Sequence, residues 1–199
     1  MIPNEAEFLT ALHRVIATFD TLGIAYALGG SFASSVYGEA RATRDVDLIA
    51  AVAGRHATPL VAALGKEFYA NEAEIVAAAI DQGSFNLVHY ESMAKVDVFV
   101  VWRTEFGATQ LARRRRQRVG RSEPFDLFMT SPEDTVLAKL DWYRKSGCVS
   151  DRQWRDVLGV LKVQADALDQ SYLREWAARL KLDELLRRAL DDAGLALIE

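Results

Sequence analysis

The stretch from Tyr26 to Ala50 reads YALGGSFASSVYGEARATRDVDLIA and decides the fold. A short apolar run leads into Gly29 and Gly30, and Ser31 opens a segment of small residues that is typical of a short helix. Paired glycines let the backbone come close to a bulky anionic group. The free N–H groups at the start of a helix also favour a phosphate. The stretch therefore predicts a strand, a phosphate-binding turn and a helix.

Three aspartates form the second part of the pattern. Asp45 and Asp47 open the apolar run 46–52, and strand geometry places side chains two positions apart on one face. Asp97 lies in a later apolar segment, residues 95–101, where a charge needs a partner or a metal ion. A parallel or adjacent strand would bring Asp97 beside the pair. Oxygen ligands suit Mg²⁺ or Mn²⁺, and three carboxylates are enough to hold two such ions.

Simpler interpretations of these residues stay open at this point. Asp45, Asp47 and Asp97 would also be explained as caps of strand ends and as members of surface ion pairs. Ser31 would be explained as the cap of the helix that follows. Arg41 and Arg44, just before the aspartate pair, would either reach a triphosphate or balance local negative charge.

Composition limits the class of protein. The chain has 199 residues, half of them hydrophobic, and one cysteine, which suits a soluble, cytoplasmic protein without an internal disulfide. We expect no signal peptide, because no basic region followed by a long apolar run opens the sequence, and no run approaches the roughly 18 apolar residues of a membrane span. A net charge of −4 argues against bulk affinity for nucleic acid.

One basic segment departs from this balance. Arg113–Arg116, together with Arg118 and Arg121, forms the densest group of like charges in the chain. Cations of this kind are common on edge strands, where they block pairing with other chains. A surface that binds RNA, DNA or an acidic partner is the alternative.

The order of elements predicts an α/β (α+β) fold with a mixed central sheet of about four to six strands. Residues 1–130 alternate between helix and strand patterns, and residues 131–199 are helical almost throughout. The change falls at Ser131-Pro132, a capping residue followed by proline at the first helical position. We therefore divide the chain into a core, 1–130, and a helical C-terminal region, 131–199, expected to close a nucleotide cleft.

The pattern of Gly29–Ser31, a spacer of thirteen residues, Asp45–Asp47 and a later Asp97 resembles the DNA polymerase β-like nucleotidyltransferase superfamily. The resemblance covers roughly residues 20–101. It implies transfer of a nucleoside monophosphate from an NTP to an acceptor hydroxyl, with release of pyrophosphate. The aspartates would hold the metal ions, with Asp97 also deprotonating the acceptor. Gly29, Gly30 and Ser31 would bind phosphates.

The second half resembles the helical tail of AbiEii-type and related minimal nucleotidyltransferases of bacterial toxin–antitoxin and abortive-infection systems. The matching segments are SPEDTVLAKLDWYR, from residue 131, and RQWRDVLGVL, from residue 152. The resemblance implies that Lys139 holds nucleotide phosphates and that Asp156 belongs to the site. The sequence departs from the toxin pattern at Trp142, where an aspartate is expected, whereas Asp141 lies one residue early.

Alternatives to this assignment come from the residues themselves and from the family. Lys139 would also suit a solvated helix face, and Arg155 and Asp156 would suit an ordinary surface ion pair. An antitoxin-like partner subunit that keeps the fold with little activity is the alternative function. For an enzyme, the acceptor would be an RNA, a protein or a small molecule.

Overall fold

A computed structural model of the chain describes residues 5–40, 45–120 and 124–195. In these ranges the α-helices are α1 Glu5–Thr21, α2 Gly30–Tyr37, α3 Ala57–Leu64, α4 Glu72–Asp81, α5 Glu105–Arg113, α6 Pro132–Lys145, α7 Asp151–Gln164, α8 Gln170–Leu180 and α9 Asp183–Ala193. The strands are β1 Tyr26–Leu28, β2 Asp45–Ala50, β3 Phe68–Tyr69, β4 Ser84–His89, β5 Lys95–Val100, β6 Arg115–Val119 and β7 Phe125–Met129. The predicted α/β class is confirmed.

All seven strands join one mixed sheet in the order β3-β4-β5-β2-β1-β7-β6. The pairs β2–β5 and β1–β7 are parallel, and the other neighbours are antiparallel. The sheet is thus one strand larger than the four to six predicted. Strand β3 could not be predicted from the sequence, because a two-residue strand is too short to show an alternating pattern.

The chain forms two compact units. The first holds the described residues up to Leu28 and those from Asp45 to Met129, and therefore the whole sheet with α1, α3, α4 and α5. The second holds Gly29 to Ala40 and everything described from Thr130 onward, so α2 groups with α6 to α9. The predicted division between residues 130 and 131 stays a prediction, to which these units add the grouping of α2 with the C-terminal helices.

Strands β2 and β5 each have one fully buried apolar face, and their other face carries the acidic residues together with Ile49 and Phe99. Val46 and Leu48 of β2 and Val96 and Val98 of β5 are almost fully buried, and they alternate with the acidic residues of the same strands. Period-two alternation of this kind buries one side of a strand and leaves the other for polar side chains. The sheet thereby offers the acidic residues one common surface.

In the second unit, α6 starts as the sequence predicts. Ser131 caps the helix, its Oγ accepting a hydrogen bond from the Asp134 N–H at 3.1 Å, and Pro132 is the first helical residue. The buried Asp134 carboxylate also accepts hydrogen bonds from the Ser131 hydroxyl at 3.0 Å and the Tyr172 hydroxyl at 2.6 Å. These bonds fix the start of α6 and join it to α8. Among the described helices, none has both the length and the apolar character needed to cross a membrane.

Candidate active site

The three predicted metal-binding aspartates lie on β2 and β5, two neighbouring parallel strands of the first unit. The register places Asp47 directly beside Asp97, and Asp45 beside Lys95. Asp45 and Asp47 are two positions apart on β2, so all three carboxylates share the face opposite the buried valines. We call Asp45, Asp47 and Asp97 the carboxylate row. The parallel pairing brings Asp97 next to the Asp45 and Asp47 pair, as the spacing suggested.

Lys95 belongs to the same surface, and sequence reasoning missed it. Its Nζ lies 2.7 Å from Oδ1 of Asp97, with the lysine side chain 44% exposed and the aspartate side chain 19% exposed. Lys95 and Asp97 are two positions apart on β5, which puts both on one face. That spacing was visible in the sequence, but the register partner Asp45 was not.

The donor chemistry of the row fits a hard divalent cation, because it consists of carboxylate oxygens alone. The three carboxylates are not arranged around a common point where an ion would bind. Across the ranges that the structure describes, no three His, Cys, Asp or Glu side chains are grouped so that they could hold a metal ion. The ammonium of Lys95 lies against Asp97 instead. A bound ion would therefore require side-chain rearrangement.

The glycine turn leads into α2, in the second unit. Gly30 opens the helix with a φ of 56°, a left-handed conformation that favours glycine, and Gly29 precedes it as the N-cap residue. Ser31 lies in the first turn of α2, which confirms the predicted position at a helix N-terminus. Free backbone N–H groups are expected there.

The hydroxyl of Ser31 is the meeting point of two cations. Lys139 Nζ of α6 lies 3.4 Å from Ser31 Oγ, and Arg152 Nη2 of α7 lies 3.2 Å from the same oxygen. Lys139 Nζ also donates to Oδ2 of Asp156, on α7, at 2.7 Å. We call Ser31, Lys139, Arg152 and Asp156 the polar cluster. The structure thus brings together three of the residues that the sequence predicted for nucleotide binding.

Burial decides between the interpretations of Lys139 and Asp156. Their side chains are only 6% and 8% exposed, so the interpretation of Lys139 as a solvated helix residue is wrong. The interpretation of Arg155 and Asp156 as a surface ion pair is also wrong. Asp156 is bonded to Lys139, whereas Arg155 Nε donates to the Asp151 carbonyl at 3.4 Å. A buried lysine needs such a carboxylate to remain charged.

A cavity of about 350 Å³ adjoins the polar cluster within the second unit. It is lined by Ser34, Glu39, Ala40, Arg152, Arg155 and Asp156. Arg152 and Arg155 are exposed and lie one turn apart on α7, and neither has a carboxylate within 4.0 Å in the described part of the chain. Since Asp156 is already paired with Lys139, the lining has two arginines without a carboxylate partner among the described residues and one further acidic residue, Glu39. The lining therefore favours an anionic ligand.

Sequence reasoning missed Arg152, because an arginine in the first turn of a helix gives no sign of reaching Ser31 from more than a hundred residues away. The predicted nucleotide-binding residue Arg44, and Arg41 with it, lie outside the described residues. Asp141, the displaced acid of the toxin pattern, pairs with Lys145 at 2.7 Å and with Arg144 on its own helix.

Most of the described part of the arginine-rich segment lies at the edge of the sheet. Arg115, Arg116 and Arg118 belong to β6, which stands last in the strand order and pairs with β7. Arg113 is the last residue of α5, and Arg121 lies outside the described residues. Arg116 pairs with Asp126 at 2.9 Å, and the Arg114 guanidinium lies 4.6 Å from the centre of the Phe128 ring. These contacts favour the edge-strand interpretation for the segment, because two of its cations already have partners on β7.

Known structures share this architecture. The crystal structure of an antigenic nucleotidyltransferase-like protein from Paracoccidioides brasiliensis superposes with a TM-score of 0.52 over 96% of this chain and 93% of that one, at 18% identity. The solution structure of the antibiotic-resistance factor ANT(2'')-Ia gives a TM-score of 0.51 over 93% and 98% of the two chains, at 13% identity.

Sequence comparison adds nothing to these likenesses, since no protein-family model and no curated protein matches the chain. At such low identity, similar structures are evidence for the fold alone. That evidence agrees with the order of glycine turn, aspartate pair and third aspartate along the chain. The protein has the nucleotidyltransferase fold.

Proposed function

We propose that this protein is a metal-dependent nucleotidyltransferase that moves a nucleoside monophosphate from an NTP to an acceptor hydroxyl and releases pyrophosphate. The observation that carries the proposal is the register of β2 and β5, which places Asp47 beside Asp97 on the face opposite the buried valines. A nucleotidyltransferase fold with paired carboxylates in this position has the ligands that two-ion phosphoryl transfer needs.

The carboxylate row has two tasks in this proposal. Asp45 and Asp47 bind divalent cations, Mg²⁺ or Mn²⁺, which when bound would neutralise charge on the phosphates during displacement. Asp97 shares that binding and accepts the proton of the attacking hydroxyl, as a carboxylate within hydrogen-bond reach can do. Because little covalent chemistry is left to the protein, positioning and charge account for most of the rate increase.

The polar cluster is proposed to bind the phosphates of the NTP. Ser31 offers a hydroxyl and the N-terminus of α2, and Lys139 and Arg152 converge on that hydroxyl at 3.4 and 3.2 Å. Hydrogen bonds from such cations to phosphate are among the strongest in proteins. Asp156 acts as a positioning residue, since its 2.7 Å bond holds the buried lysine in place. Both cations would then release the serine for the phosphates.

The test is isothermal titration of the purified protein with each of the four NTPs, with and without Mg²⁺. We expect one or more NTPs to bind, with Mg²⁺ strengthening the binding. The variant Asp45→Asn/Asp47→Asn should lose the effect of Mg²⁺. The matched control is Asp126→Asn, which removes an acidic residue of β7 whose partner is Arg116, outside the row. It should behave as the wild type.

Failure of all four NTPs to bind to folded protein would overturn the proposal. The result would then favour the antitoxin-like partner subunit. If an NTP binds, pyrophosphate release measured with RNA, protein and small-molecule hydroxyl acceptors identifies the acceptor class.

A further inference from the structure

We propose that Lys95 competes with the divalent cation for the carboxylate row, and thereby sets the metal concentration that the protein needs. This inference rests on the proposed metal-binding role of the row. It assigns to Lys95 a regulating position, not a catalytic one.

The sheet register is the first argument. Lys95 is the direct neighbour of Asp45 across the parallel pair β2–β5, and it precedes Asp97 by two residues on β5. Its side chain is therefore on the face that carries the row. Lys95 therefore has two of the three proposed metal ligands as neighbours: Asp45 on the adjacent strand and Asp97 two residues further along its own strand.

The contact with Asp97 is the second argument. Lys95 Nζ lies 2.7 Å from Oδ1 of Asp97, an oxygen that the proposed cation also requires. A magnesium ion binds carboxylate oxygens at about 2.0–2.1 Å, so an ammonium on the same oxygen would face a doubly charged ion at very short range. The two cations repel each other across this oxygen, so the metal ion binds more tightly when the lysine has turned away.

Exposure shows that this exchange is feasible. The Lys95 side chain is 44% exposed, whereas that of Asp97 is only 19% exposed. The lysine has a flexible four-carbon stem and can turn into solvent, while the aspartate stays on the strand. Since an exposed ion pair is weak, the competition should be moderate. We expect its removal to strengthen metal binding by up to about fivefold.

The experiment is a Mn²⁺ titration of the full chain, with the free ion followed by electron paramagnetic resonance. Five proteins are compared: wild type, Lys95→Met, Lys95→Arg, Lys145→Met and Asp47→Asn, which removes a proposed metal ligand. Lys145 is a matched control, because it pairs with Asp141 at the same 2.7 Å distance on α6 and is similarly exposed. We expect tighter Mn²⁺ binding in Lys95→Met alone, with Lys95→Arg close to wild type because it keeps the charge.

Three results would overturn the inference. The first is equal Mn²⁺ affinity of Lys95→Met and wild type where Asp47→Asn abolishes binding; the proposed function would then survive. The second is equally tight binding by Lys95→Arg or Lys145→Met, which would exclude competition by the Lys95 charge. The third is no Mn²⁺ binding by folded wild type or Lys95→Met, which would remove the metal role of the row as well.

Discussion

The carboxylate row and the polar cluster differ in charge and in exposure to solvent. The row lies on strands of the first unit, and its surroundings leave room for exchange, as the 44% exposure of Lys95 beside Asp97 shows. The cluster lies among helices of the second unit, where Lys139 and Asp156 are more than nine-tenths buried and already paired. One site gathers negative charge near solvent, and the other fixes positive charge inside the protein.

This difference indicates that the buried pair of the cluster contributes to the stability of the fold, whereas the carboxylate row does not. A buried ion pair must be complete, because a single remaining charge is strongly destabilising. A partly exposed carboxylate is hydrated and can change partners at little cost. Substitutions in the row should therefore affect activity while sparing stability, and substitutions of the buried pair should affect stability first.

The largest expected effect breaks the row. Asp47→Asn removes a proposed metal ligand and should slow the proposed nucleotidyl transfer by about a thousandfold, the equivalent of about 4 kcal/mol. The measurement is pyrophosphate release with the NTP and acceptor identified above. Stability in urea should change by less than about 0.5 kcal/mol. A large loss of stability in Asp47→Asn that the control Asp126→Asn does not share would mean that the row is structural.

The next effect breaks the cluster. Lys139→Met leaves the Asp156 carboxylate buried without its lysine, which should cost about 3 kcal/mol of unfolding free energy. The double variant Lys139→Met/Asp156→Asn should recover part of this loss, since no charge then remains buried. Urea unfolding followed by circular dichroism measures both. Equal stability of the single variant and wild type would contradict the description of this pair as a structural element.

A smaller effect tests the scaffold of the cluster, where α2 and α7 approach closely. A Cβ added to Gly38 would lie 2.7 Å from the backbone carbon of Gly159 and from the nitrogen of Val160. Gly38→Ala should therefore cost about 1–3 kcal/mol in thermal or urea unfolding. Gly54→Ala is the control, because nothing lies within 4 Å of its added Cβ. The two variants should differ clearly.

Arg152 separates the effect of the cluster on NTP binding from its effect on stability, because it is the exposed member of the cluster. Arg152→Met should weaken NTP binding by about tenfold, since a charge-assisted hydrogen bond to phosphate is lost. Its effect on unfolding should stay below about 0.5 kcal/mol, unlike that of Lys139→Met. Titration calorimetry provides the first number and urea unfolding the second. Unchanged NTP affinity would remove Arg152 from the proposed phosphate site.

The smallest expected effect comes from His56, which lies outside both sites. It contributes to the pH dependence of stability and must be subtracted when the pH dependence of the two sites is measured. Burial, and then the neighbouring Arg55, lowers the pKa of His56 below its usual 6.5, and its Nδ1 accepts the Ala53 N–H at 3.1 Å. The neutral ring thus stabilises the fold above pH 6.5, and this contribution is lost as the pH falls through the lower pKa of the folded state. His56→Gln should show a smaller loss of melting temperature between pH 7 and 5.

Much of the architecture was readable from the sequence because local signals agree with one another. The start of a helix at Ser131 and Pro132 was predicted correctly, since a capping residue and a proline at the first helical position coincide there. The sharing of one face by Asp45 and Asp47 follows from period two. Their alignment with Asp97 was expected in general terms but needed the register to become definite.

What the sequence could not reveal depends on contacts between distant segments. The position of Lys95 beside Asp45 is a matter of strand register, and the reach of Arg152 to Ser31 joins residues from different helices. The burial of Lys139 was hidden because a lysine on an amphipathic helix is usually solvated. Such facts arise from packing, and no local pattern encodes them.

The register of β2 and β5 also bears on how the chain acquires its site. The β4–β5 hairpin closes through a short turn, but Asp47 meets Asp97 only after the intervening helices and strands have been arranged. Contacts between residues far apart in sequence form slowly, because loop entropy must be lost first. A nascent or partly folded chain would therefore have its aspartates scattered. Metal ions at this site would bind only the completed sheet. They would therefore stabilise the folded state without accelerating the early steps of folding.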